Sequence, residues 1–140
     1  MEKASIFRRI SSGFINYLIF LMFVFLTFIF FGYEDFNGEL AVSISHGLLI
    51  MIFWPLFNIL SEYFFGRTLG NYIVSIKPIS LIDEESKLTF TQVFKRHFVY
   101  WIDFSIVGLI LIIATEKKQR LGDLWAKTVV VKEFKQKEYW

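Results

Sequence analysis

Two pairs of polar residues fall seven apart in otherwise apolar surroundings: Arg9 with Asn16, and Arg96 with Asp103. Seven residues are two helical turns, so each pair shares a face with its members about 10 Å apart along the axis. Neither pair can bridge internally, and each side chain must find a partner on another helix, in water or among lipid head groups. An ionisable group beside hydrocarbon is costly and usually paired, which makes it a functional candidate. The expectation is that Arg9 or Arg96 meets Asp103 or Asp123 across helices at the cytoplasmic membrane face. The alternative is that both arginines snorkel to lipid phosphates and Asp103 merely ends an interfacial helix.

Other polar residues carry paired readings. His46, in SISHG, can titrate near neutral pH and serve a proton or ion. Flanked by Ser43, Ser45 and Gly47, it equally suits a small-residue helix contact with a hydrogen bond across the hairpin. Glu62 is either a solvated helix end or a carboxylate facing a cytoplasmic cavity, and Asn58 reads as a helix–helix contact. GRTLGN, with Gly66 and Gly70 around Thr68, lacks the Lys-Ser/Thr ending of a phosphate loop. A turn that stops one helix and starts a strand accounts for both glycines. With two His and no Cys, a structural zinc site is not expected. No metal, no cofactor and no nucleophile–base pair is read, so an enzyme is not expected.

Three apolar segments must position these groups. Residues 14–31 run eighteen positions without a charge, about 27 Å of helix and close to bilayer thickness. A secretory signal would be shorter and end at small residues, so a retained anchor is expected. Residues 40–60 form a second uncharged run with Pro55 inside it, which membrane helices tolerate. The short acidic link 32–39 makes the two a helical hairpin. The third segment, 98–115, contains Asp103, and the twelve residues after it span only about 18 Å. The chain is 55% hydrophobic with 18 Phe and a mean hydropathy of +0.51, above the roughly 45–50% apolar of soluble domains. A net charge of +2 does not point to nucleic acid.

In the cytoplasmic loop 61–97, Tyr72, Val74 and Ile76 alternate with polar neighbours as a strand would. A turn at 83–86 would let residues 87–90 return as a second strand. Phe90, Phe94, His97 or Phe98, and Trp101 mark an interfacial amphipathic helix. In the tail, 116–140, the run 128–131 could pair with the 72–77 strand. Lys and Arg lie before the first span, in the loop and in the tail, with none from Ile10 to Gly66. The positive-inside rule then puts the N-terminus and loop in the cytoplasm. Three full spans would export the basic tail against that rule. Either segment three dips in and returns, or it crosses and the tail is exported.

RRISSGFIN, GRTLGN, FTQVFKR with WID, and above all QRLGDLWAKTVVV resemble the RDD family of small bacterial membrane proteins over nearly the whole chain. The family is named for an arginine and two aspartates. The resemblance puts the arginine on Arg9 and the last aspartate on Asp123, while the first aspartate falls on Asn16. An asparagine hydrogen-bonds but holds no charge and releases no proton. What the resemblance implies is a multi-span membrane protein with suggested links to transport of ions or other ligands.

The fold expected is an all-α integral membrane unit over 1–140: a helical hairpin, a third apolar helix that re-enters or spans, and a small cytoplasmic β-rich patch from loop and tail. The expected place is the cell membrane, with lipid, further copies of the chain or other membrane proteins as partners. Two functions fit. One is a transport-related role with Arg9, Asn16, His46, Arg96, Asp103 and Asp123 along a polar path. The other is a non-catalytic accessory subunit that stabilises another membrane complex.

Overall fold

A computed structural model describes residues 2–83, 87–99 and 106–133. Helix α1 covers Ile6–Phe31 and opens at Ser5, whose hydroxyl accepts the Arg8 amide. Its buried residues are Arg9, Ser12 and Asn16, spaced three and four apart on one face. Phe14, Phe25 and Phe30 point outward and stay exposed. In water such a helix would be inside out; in hydrocarbon, polar inside and apolar outside is the stable arrangement. Helix α2, Ile44–Phe65, carries Pro55 and stops at Gly66 in the left-handed conformation (φ 75°). Both helices are long and apolar enough to cross a membrane. They pack through tilted aromatic pairs, Phe20 on Trp54 and Phe23 on Phe53, at centroid distances of 5.4 and 5.5 Å. Their link holds two short antiparallel strands, β1 (Tyr33–Glu34) and β2 (Leu40–Ala41).

Beyond α2 come α3 (Leu69–Ile73), β3 (Ile76–Ser80), α4 (Phe90–Phe98), α5 (Ile106–Ala114), α6 (Leu121–Ala126) and β4 (Thr128–Lys132). Strands β3 and β4 are antiparallel, from Ile76 opposite Lys132 to Ser80 opposite Thr128. The start of the chain joins them: the Ala4 amide donates to the Val130 carbonyl, and the Lys132 amide to the Glu2 carbonyl. Ala4, Ile76 and Val130 form a small dry core there. Residues from the beginning, middle and end of the sequence thus make one β layer.

Four expectations change. Tyr72 lies in helix α3, not in a strand, because Thr68 accepts the Asn71 amide and caps a helical turn. The strand therefore begins at Ile76. Residues 87–89 are not a return strand; Thr89 and Gln92 form a reciprocal cap that starts α4. Helix α1 begins eight residues before 14, and α2 runs from 44 to 65, not 40 to 60: polar residues extend α1 at its start and α2 at its end, while Leu40–Ala41 pair as a strand and delay the start of α2. Residues 84–86 of the turn expected at 83–86, Trp101 and Asp103 lie outside the described residues. Helix α4 has an inverted face of its own. Phe90, Phe94 and Phe98 are exposed in a row of successive ring contacts, with Gln92, Val93 and Arg96 buried opposite.

Candidate functional site

The buried faces of α1, α2, α4 and α6 converge on a chain of charged side chains. Arg9 Nη2 lies 2.5 Å from Asp123 Oδ2. Arg96 Nη1 lies 2.9 Å from the other oxygen, Oδ1. On its far side Arg96 Nε sits 2.7 Å from Glu62 Oε1, an ion contact and not a directed hydrogen bond. Glu62 Oε2 then reaches His97 Nε2 at 3.2 Å. The side chains of Glu62 and Asp123 are each 1% exposed and that of Arg96 2%. Pairing at this depth is obligatory, because a lone ion here would cost several kcal/mol in lost hydration.

Local structure explains each placement. Asp123 is the third residue of α6, where its carboxylate also accepts the Arg120 amide at 3.2 Å and so caps the helix start. Gly122 lets α6 approach α4: a Cβ there would come 2.6 Å from the Arg96 carbonyl oxygen. Thr128, at the first position of β4, accepts from Arg96 Nη1 at 3.1 Å. Arg9 also donates to the Lys118 carbonyl. Burial pushes the Asp123 carboxyl up, but the guanidinium groups of Arg96, Arg9 and Arg120 outweigh it and hold the carboxyl well below its usual range.

A second polar cluster adjoins the first. Asn16 accepts the Gly70 amide at 2.9 Å and donates to Thr68 Oγ1 at 3.1 Å, while Ser12 donates to Asn71 at 2.7 Å. Gly70 is required by proximity, since a Cβ there would collide with the Ser12 carbonyl oxygen. The GRTLGN segment is therefore a packing piece that clamps α3 on α1, with Gly66 as a helix stop. Between the two clusters lies a cavity of about 350 Å³, reached by Arg9, Asn16, Glu62, Arg96, His97 and Arg120 among others.

Of the residues singled out in the sequence, Arg9, Glu62, Arg96 and Asp123 come together, with Asn16, Thr68 and Gly70 beside them. Glu62 is a buried ion partner and not a solvated helix end, because its partners on α4 fold back over it. His46 stands apart, at the other end of α2, stacked on Phe31 with Nδ1 2.5 Å from Ser43 Oγ. Asn58 donates within its own helix, to the Trp54 carbonyl at 2.9 Å, and among the described residues this is where its side-chain bond goes. Sequence reasoning missed His97, Arg120 and Thr128 as members. The four-residue spacing of Gln92 and Arg96, opposite the Phe90–Phe94–Phe98 row, was the available sign of a buried polar face. Among the described residues no three His, Asp or Glu side chains gather as a metal site.

Membrane-length helices that bury arginine, serine and asparagine and expose phenylalanine define a membrane protein built around a polar interior. The model of the RDD family matches residues 3–127, a span that includes Arg9, Asn16 and Asp123, and the chain belongs to that family of membrane proteins. No curated protein and no solved structure matches it.

Proposed function

We propose that this is a multi-pass protein of the cell membrane with a transport-related role. In this reading its cavity and buried charge chain handle an ion or small ligand from the cytoplasmic side. The observation that carries it is the cavity itself: a largely apolar-walled space that three arginines and Glu62 reach, adjoining helices of membrane length. Purely structural ion pairs need no such space beside them.

The topology that goes with this reading rests on the β layer. Residues 2–4, β3 and β4 are hydrogen-bonded together, so all three belong on one side of the bilayer. Their Lys and Arg content makes that side the cytoplasm. The uncharged stretch after Asp103 is only twelve residues, about 18 Å as helix and short for a crossing. In this reading segment three enters and returns, leaving β4 and the start of the tail inside with the N-terminus and β3. Two spans are too thin to enclose a pore, so transport needs further copies or partner helices.

The accessory, non-catalytic reading is favoured by one feature, the broad apolar exterior of α1 and α2, where Phe25 and Phe30 are 64% and 72% exposed. Partner helices would cover it as well as lipid would. Reconstitution into liposomes with flux of Na⁺, K⁺, H⁺ or phosphate measured decides between them. Flux above that of protein-free liposomes, lowered in Arg120→Gln, supports transport. A silent protein that co-purifies with a defined complex leaves the accessory role.

A further inference from the structure

The cavity's charge balance says what kind of ligand it suits. Its described lining holds three guanidinium groups, Arg9, Arg96 and Arg120, and the His97 ring, against a single carboxylate, Glu62. Asp123 is not part of the wall; it stands behind Arg9 and Arg96 and holds them in place. Even with Asp123 counted, three arginines face two carboxylates. The remaining polar side chains of the lining, Ser12, Asn16, Tyr17, Asn58, Thr68 and Asn71, all carry donors. A volume of about 350 Å³ is at the small end of ligand sites. Guanidinium forks match the geometry of carboxylate and phosphate oxygens, and in a site of low dielectric their attraction for an anion is far stronger than in water.

We infer that the cavity binds a small oxyanion, a phosphate or a carboxylate, with Arg120 as the cation at its more open edge. The Arg120 side chain is 27% exposed, against 4% for Arg9 and 2% for Arg96, so it is the arginine best able to turn toward an arriving ligand. Glu62 opposes binding, because it occupies Arg96 and adds the wall's one negative charge. The inference rests on the transport reading and assigns its cargo class.

The test uses the full chain in detergent micelles, titrated with sodium phosphate by calorimetry against sodium chloride at equal ionic strength. Saturable phosphate binding is expected, weakened about tenfold or more in Arg120→Gln through loss of a charged hydrogen-bond donor. Glu62→Gln is expected to bind phosphate more tightly than the natural chain, a direction that structural damage does not produce. Should Arg120→Gln fail to fold, Asn71→Asp replaces it and must weaken binding by adding a second carboxylate to the wall. Phosphate that behaves like chloride, in a protein that still carries Na⁺, K⁺ or H⁺ across liposomes, overturns the anion assignment and spares the transport reading. No phosphate binding and no flux of any ion removes both.

Discussion

Arg9 and Asp123 meet at 2.5 Å across a sequence separation of 114 residues, and Arg96 takes the second oxygen of the same carboxylate. One aspartate therefore joins α1, α4 and α6. Glu62 extends the chain to α2 through Arg96. The arrangement holds two carboxylates between two deeply buried arginines, and its stability depends on that balance being kept.

Removing Asp123 alone breaks the balance. Asp123→Leu leaves Arg9 and Arg96 with one carboxylate between them, and a loss of about 3–5 kcal/mol is expected. The double variant Arg9→Met with Asp123→Leu restores equal numbers, Arg96 against Glu62. It is expected to melt above the single Asp123→Leu in detergent; a double variant at or below it would mean the charges are not coupled.

The same carboxyl gives a pH dependence of known sign. Its folded value lies below the ordinary 3.8, so its contribution is fully present above about pH 4 and fades as pH falls further. Melting temperature is expected to drop between about pH 4 and 2 in the natural chain. In Asp123→Asn the drop over that interval is expected to be smaller.

Gly70 and Gly13 make a paired test of packing. Gly70→Ala drives a methyl into the α1 backbone at Ser12 and is expected to cost about 1–3 kcal/mol. Gly13, one position further along α1, has open space where a Cβ would stand, with nothing within 4 Å. Gly13→Ala is expected to be neutral or to stabilise by up to about 1 kcal/mol. Equal effects in thermal melts would contradict the α1–α3 contact.

The absence of cysteine provides a clean background for testing the β layer. Lys77 and Val131 are cross-strand neighbours, close enough for a bridge once both are cysteine. Lys77→Cys with Val131→Cys is expected to cross-link within one chain in intact membranes on mild oxidation, seen as a gel shift reversed by reductant. Failure to cross-link in folded protein would separate the tail from the loop.

The two long helices were legible because lipid-facing segments announce themselves by length and lack of charge. Their ends were not: Arg8, Arg9, Ser11 and Ser12 look like a soluble flank, yet they are helical because their polar face is buried by α3 and α6. Arg9, Arg96 and Asp123 could be picked out as charges near apolar runs. The role of Glu62 could not, since its partners, Arg96 and His97, lie more than thirty residues away and only the folded loop brings them over it. The alternation at 72–76 misled because a single capping threonine, Thr68, outweighs a weak strand pattern over so short a stretch.

A chain emerges from the ribosome in order, and Arg9 is made long before Asp123. Until Asp123 has been made, Arg9 lacks the carboxylate that the folded structure gives it, and water or a lipid phosphate has to serve in its place. The interior of this protein therefore closes only once residues 114 positions apart have both been made.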